Sequence, residues 1–430
     1  MAIMALALLI GFLVVVLIGV PIGFAMGFIT IASFAALGGS MLIIPQKLFS
    51  GVDNFTYLCI PLFILASEIM SSGKLTEKII HFSNCLVGHV SGGLAHVNIM
   101  ASMFFAGISG SATADASGLG PIEIEMMEKG GYSRDYSAAV TAASAIIGPI
   151  IPPSGIMIIY AVVAGNVSVA AMFFGGLLPG ILLGLSEMAL CYFLAKKYNH
   201  PKRAHRADFR EIWVSLKETL PCLVLPVIIL GGIASGIFTA TESGAIAVLY
   251  ALLIAKFMLK TLTWKAFWDC CIRTAKTTAN VLFIIAVASS MGWAITTLQI
   301  PQQIIAFCMT YIHSRALFLI FVNILLLLIG MILDQSPALL IMVPILLPVA
   351  LAYGVDPLHF GLLVCINLTI GLITPPVGMT LFVTANVGRV KLTNLYKQIM
   401  PFVAVSLVIL VLITFIPQLT LALPKFLGYL

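Results

Sequence analysis

The apolar positions of this chain are gathered into runs of the length a bilayer-crossing helix needs, which is roughly 20 residues. Such runs occupy 2–20, 22–37, 172–195, 220–237, 281–298, 316–333 and 402–423. The first lacks a basic flank and further spans follow it, so it is expected to be a retained helix rather than a cleaved leader. Two stretches, 74–90 and 264–269, mix charged and apolar residues, with Trp264, Phe267 and Trp268 beside Lys265 in the second. Both are expected to form helices lying along the membrane surface.

Composition agrees with that pattern. The 430 residues are 61% hydrophobic and 9% charged, with a mean hydropathy of +1.14. That is too little charge to coat a water-facing surface, since soluble chains carry about 25% charged residues. The pattern therefore predicts an all-α polytopic membrane protein. The net charge of +6 is explained by topology, not by nucleic acid. The eight cysteines form no CxxC pair and read as small apolar residues, and the seven histidines show no ligand spacing. No GxxxxGK[ST] phosphate loop, HExxH or GxSxG motif is present, so neither ATP drive nor enzyme chemistry is expected.

Shifted against itself by 223 residues, the chain aligns without gaps. Gly107, Pro121, Gly131, Gly148, Pro152, Pro153, Gly155 and Gly165 fall on Gly330, Pro344, Gly354, Gly371, Pro375, Pro376, Gly378 and Gly388. With 36 Gly and 21 Pro, chance supplies roughly one such match. Gly and Pro set backbone geometry, so a first repeat over 1–215 and a second over 216–430 are expected to share a fold.

Charge gives their orientation. The most basic loop, 196–217, is cytoplasmic by the positive-inside rule. Counting crossings outward puts 74–96, 123–135, 256–276 and 388–397 on the same side and both termini on the periplasmic side. Those five segments hold 19 of the 22 Lys and Arg residues. Matched loops fall on opposite sides: 123–135 contains Lys129 and Arg134, whereas 346–358 contains neither residue type. Opposed similar halves are the inverted-topology repeat of many secondary transporters, which hold substrate and ions near mid-membrane on interrupted helices.

Each half offers two interruptions. The first is a polar tip: Ser109, Gly110, Ser111, Thr113 and Asp115 in a re-entrant hairpin over about 97–127, and Asp334, Gln335 and Ser336 in a second over about 317–350. The other is a Pro-Pro break, at 148–155 and again at 371–378. Paired prolines remove amide donors and free the carbonyls upstream. Such carbonyls, with Ser or Thr hydroxyls, suit a hard cation such as Na⁺, and the half-helix that begins beyond the prolines suits a carboxylate. Of the other acidic residues in apolar regions, Glu68 and Glu187 read as segment-end groups that snorkel or pair, and Glu242 as solvated in a turn.

The tip at 107–115, Pro152-Pro153-Ser154-Gly155, Thr374-Pro375-Pro376-Val377-Gly378 and the stretch 232–244 together resemble the large membrane subunit of tripartite ATP-independent periplasmic (TRAP) transporters, over essentially the whole chain. The resemblance implies an elevator-type carrier driven by Na⁺, with scaffold and transport domains each drawn from both repeats, in the bacterial inner membrane. It implies a separate small membrane subunit, a periplasmic substrate-binding protein and a carboxylate substrate such as sialic acid or a C4-dicarboxylate. It places Ser109, Gly110, Thr113, Asp115, Pro153, Ser154, Gly155, Gln335, Pro376 and Gly378 around the substrate. Around Na⁺ it places Ser111, Gly148, Pro152, Asp334, Ser336, Gly371 and Thr374. A stand-alone divalent-anion/Na⁺ symporter is the alternative, ahead of an intramembrane enzyme or channel.

Overall fold

The computed structural model describes residues 11, 12, 14, 15, 18–37, 40–71, 73–203 and 205–430, so the expected helix over 2–20 lies largely outside the described residues. The regular secondary structure of the described residues is all helical, with no strand among them. Seven helices are long and apolar enough to cross a membrane, and an eighth crossing is available if the pair 43–52 and 55–70, bent by 58°, counts as one.

The first half runs α1 (Ile22–Leu37), α2 (Ile43–Val52), α3 (Cys59–Met70) and α4 (Gly73–Val87). A hairpin follows, with α5 (Gly93–Ser109) as one arm and α6 (Ala112–Gly118) continued by α7 (Gly120–Lys129) as the other. Then come α8 (Arg134–Ala145), α9 (Gly155–Ala164) and α10 (Val169–Tyr198). α11 (Phe209–Ala234) leads into the second half: α12 (Ala240–Leu253), α13 (Trp264–Thr297) and α14 (Ile300–Tyr311). The second hairpin is α15 (Arg315–Ile332) with α16 (Gln335–Ala352), followed by α17 (Pro357–Gly371), α18 (Met379–Gly388), α19 (Leu392–Phe415) and α20 (Gln418–Phe426).

Local chemistry sets the ends of these helices. Gly110 takes φ +64 and closes α5, because that left-handed cap is nearly free for glycine. Ser111 then accepts the Ala114 amide and opens α6. Both helix-opening positions recur 223 residues on: Ser111 corresponds to Asp334, which precedes α16, and Ser133 to Asp356, whose carboxylate accepts the Leu358 and His359 amides. The two Pro-Pro pairs sit in non-helical turns, 146–154 and 372–378, each followed by a ten-residue helix. Ten residues rise only about 15 Å, half the hydrocarbon thickness, so α9 and α18 are half-helices.

Packing is reciprocal between the halves. α9 of the first lies on α16 of the second, while α18 of the second lies on α6 and α7 of the first. A buried polar network ties each hairpin to its neighbouring broken helix. Asn98 Nδ2 donates to Thr141 Oγ1 (2.8 Å), and Ser144 Oγ donates to Asn98 Oδ1 (2.7 Å). In the second half, Asn367 Nδ2 donates to Asn323 Oδ1 (2.9 Å) and Asn323 Nδ2 to Thr414 Oγ1 (2.9 Å). Such bonds hold helices together where lipid supplies no hydrophobic drive between them.

Four sequence expectations are corrected. Residues 264–269 are not a separate surface helix but the start of the 34-residue α13, because no Gly or Pro interrupts the chain until Gly292. The run 402–423 is broken at Ile416, ahead of Pro417. Glu187 is not near a segment end: it lies in the middle of α10 with 0% exposure. Glu242 is not in a turn but three residues into the α12 end, where it forms a capping box with Thr239. Glu68 does find a partner helix, accepting Arg273 Nε of α13 at 2.7 Å.

Candidate transport site

The two polar tips meet. A cavity of about 250 Å³ is lined by Ser109, Gly110, Ser111 and Thr113 of the first tip, Pro153, Ser154 and Gly155 of the first break, and Asp334, Gln335 and Ser336 of the second tip. Its far wall is Ile60, Phe63 and Ile64 of α3 with Thr277 and Val281 of α13. A larger cavity of about 650 Å³ lies along α1, and among the described residues its lining is apolar apart from Thr30 and Ser290.

Each tip rests on the break of its own half. A Cβ built on Gly110 would fall 2.5 Å from the Pro153 carbonyl oxygen. In the second half Gly330 and Gly371 pack backbone to backbone, and the Gly378 amide donates to the Met331 carbonyl at 3.0 Å. Ser154 closes the first break: it caps α9 through the Met157 amide, and its hydroxyl donates to the Pro149 carbonyl at 2.5 Å. Ser111 Oγ lies 3.3 Å from Thr113 Oγ1, so two hydroxyls share one side of the cavity.

Not every expected residue lines this space. Pro376 and Gly378 do not, and the Pro376 carbonyl is taken by the Tyr396 hydroxyl. Thr374 donates back to Ile370 O at 2.8 Å, and Pro152, Gly148 and Gly371 also lie outside the lining. Asp115 is sealed behind the tip at 1% exposure, against Gly148: a Cβ on that glycine would overlap Asp115 Oδ2. Among the described residues neither Asp115 oxygen has a hydrogen-bond partner, and the same holds for Glu123 and Glu187. A carboxylate so placed costs several kcal/mol unless it holds a cation or a proton.

Three contributors escaped the sequence reading. Lys276, Thr277 and Asn280 of α13 face Asp334, Ser336 and Pro337 across a second cavity of about 300 Å³, which shares Thr277, Val281, Asp334 and Ser336 with the first. Lys276 reads as a loop charge in the sequence, yet it stands twelve residues into a helix. The signal was available: 276, 277 and 280 are three- and four-residue neighbours that form one polar face, followed by the apolar stretch 281–288 of the same helix.

Residues 9–419 match the family model of the tripartite ATP-independent periplasmic transporter, DctM component. The chain belongs to that family. It is 41% identical over 425 residues to the sialic acid TRAP transporter large permease protein SiaM of Vibrio cholerae, covering 97% of this chain and 98% of the relative. Against the C4-dicarboxylate TRAP transporter large permease protein DctM of Pseudomonas aeruginosa it is 39% identical over 382 residues, 89% of each chain. The fold is similar to the crystal structure of the Alcanivorax borkumensis YdaH transporter, with a TM-score of 0.63 at 12% identity and 86% of each chain covered. This DctM-type chain is thus a multi-pass permease subunit, not an enzyme.

Proposed function

We propose that this DctM-type subunit is the Na⁺-coupled pathway for a carboxylate of the sialic acid or C4-dicarboxylate type, handed over by a periplasmic binding protein and completed by a small membrane subunit. The observation that carries this reading is the convergence of both tips and the first break on one cavity. Hydroxyl and carboxylate oxygens there suit a hard cation. The N-terminus of the half-helix α9, capped by Ser154, points partial positive charge at an anion. The relatives named for sialic acid and C4-dicarboxylates support the substrate class.

Asp115 supports cation coupling separately. Its unpartnered oxygens lie against the first break, where Gly148 leaves room for them. A Na⁺ held there by Asp115 and break carbonyls would neutralise the carboxylate and fix tip to break. Substrate would lie on the α9 side, between the tips and α13. In this reading both hairpins and both half-helices move as one body past α1–α3 and α11–α13, with residues 196–217 on the cytoplasmic side.

Proteoliposome uptake tests the proposal. Labelled sialic acid or a C4-dicarboxylate should accumulate only with an inward Na⁺ gradient, the small subunit and the loaded binding protein together. Accumulation with substrate and Na⁺ alone would instead establish the stand-alone symporter, and uptake indifferent to Na⁺ would remove the coupling.

A further inference from the structure

α4 and α11 pack antiparallel, in a ladder of three polar contacts. Thr219 Oγ1 donates to the Lys78 carbonyl at 3.1 Å, His81 Nδ1 lies 2.9 Å from Ser215 Oγ, and Cys85 Sγ lies 3.6 Å from Glu211 Oε1. The last two rungs converge. Cys85 Sγ is also 4.0 Å from His81 Nδ1, and one ligand atom from each of His81, Cys85 and Glu211 lies within 4.8 Å of the others. His81 and Cys85 are four apart on one helix and so share a face.

We infer that His81, Cys85 and Glu211 form a binding site for a zinc-class divalent cation that clamps α4 to α11. Zinc takes thiolate, imidazole and carboxylate at about 2.0–2.3 Å, which puts neighbouring ligand atoms about 3.3–3.8 Å apart. The Cys85–Glu211 separation of 3.6 Å already falls in that range and the Cys85–His81 separation of 4.0 Å is just beyond it, while His81 and Glu211, within 4.8 Å of each other, close the remainder by side-chain rotation. Three protein ligands leave a fourth position for water or the Ser215 hydroxyl. On binding, the Cys85 S–H bond breaks, its proton leaves to water, and the sulfur lone pair passes to the metal.

Arg203 sets the second shell. Its Nη2 donates to Glu211 Oε1 and Oε2 at 2.8 and 2.9 Å, and its backbone amide donates to Gly88 O at the end of α4. Oε2 can keep Arg203 while Oε1 turns to the metal, the outer-shell support that metal-bound carboxylates use. Thiolate, carboxylate and guanidinium together leave one net negative charge against the dication. None of the three residues lines either cavity at the tips, and α11 is the helix joining the two halves.

The test uses the full-length chain purified in detergent. Zinc retained after gel filtration should be one equivalent per chain, and Co²⁺ should give a thiolate-to-cobalt charge-transfer band. Cys85→Ser should abolish that band and weaken zinc by more than about 100-fold, since outer-shell partners alone are worth about 10–100-fold. His81→Ala, at an exposed ring, leaves metal-free uptake unchanged and also loses tight zinc. Zinc below stoichiometry in the wild type, a cobalt spectrum without the thiolate band, or binding indifferent to Cys85→Ser would overturn the site and leave Arg203–Glu211 a plain ion pair.

Discussion

Gly110 is where backbone geometry and transport chemistry meet most tightly, so its replacement by alanine is the sharpest test. The residue sits at φ +64, a left-handed conformation that costs an L side chain about 1–2 kcal/mol. The added methyl would also lie 2.5 Å from the Pro153 carbonyl oxygen, a backbone atom of the break that cannot swing aside. Relieving such overlap typically costs about 1–3 kcal/mol. The smaller ends of the two ranges sum to about 2 kcal/mol, or about 30-fold at about 1.4 kcal/mol per decade. That penalty falls on the docking of tip to break, which the rest of the bundle does not require.

Initial uptake in proteoliposomes should therefore fall about 30-fold in Gly110→Ala, with the thermal unfolding midpoint nearly unchanged. Gly118→Ala is the control: it is in the same hairpin, within α6, with no atom within 4 Å of its built Cβ and a helical backbone that prefers alanine. Equal rates in Gly110→Ala and wild type, or equal losses in both variants, would refute the claim that tip 1 must seat on the break.

On the proposed Na⁺ reading, Ser111→Ala and Asp334→Asn each take an oxygen from the cavity lining, so half-maximal uptake should need roughly tenfold more Na⁺ at a cost of about 1.5 kcal/mol, with insertion intact; unchanged Na⁺ titrations would remove the tips from the cation site. Lys276→Met should raise the substrate KM about tenfold and leave kcat nearly alone if the ammonium meets the substrate carboxylate; a fall in kcat alone would place its role elsewhere. Asn98→Ala takes the donor from Thr141 Oγ1 and one of the partners of Ser144 in a buried network and should lower stability by about 1–3 kcal/mol, read as a lower melting temperature; a wild-type melt would show the network contributes nothing.

Much of the frame was legible because its punctuation is local. The 223-residue register of Gly and Pro reappears as helix boundaries: Ala112–Lys129 of the first hairpin stands against Gln335–Ala352 of the second, and Arg134 against Pro357 as first helical residues. Glycine at a left-handed turn and proline at a helix break act through their own backbone, whatever packs on them. Side-chain direction is different. α17 is buried all round, with its few polar residues, His359, Asn367 and Thr369, buried among apolar ones, so no amphipathic stripe says which face meets a neighbour. Thr374, in the turn beyond it, likewise reads equally as a cation ligand and as the donor back to the Ile370 carbonyl that it is. Lys276 was obscured by the opposite error, a charge counted toward a loop because charges usually end helices. His81 and Cys85 show the same limit, since Glu211 comes from a helix about 130 residues away.

The two halves share helix boundaries but not a charge pattern. Where the first has Ser111 opening its return arm, the second has Asp334, which faces both cavities. Where the first has Asp115 sealed behind the tip, the corresponding residue of the second is Ala338, buried and apolar. One carboxylate is thus reachable from the cavity and the other is not, although a single two-fold frame could have placed them alike. A sealed carboxylate cannot be satisfied by passing solvent; its partner must arrive through the tip and stay while the tip is closed. A reachable one can exchange its partner without any opening. In a carrier that must hold its ion in step with its passenger, the first suits a load that reports closure and the second a load taken up early. Asp115→Ala, which gives the first half the alanine that the second carries at 338, removes an unpartnered buried carboxylate and should therefore leave the fold intact yet uncouple uptake from the Na⁺ gradient; coupled uptake by the variant would show that the sealed charge does not matter.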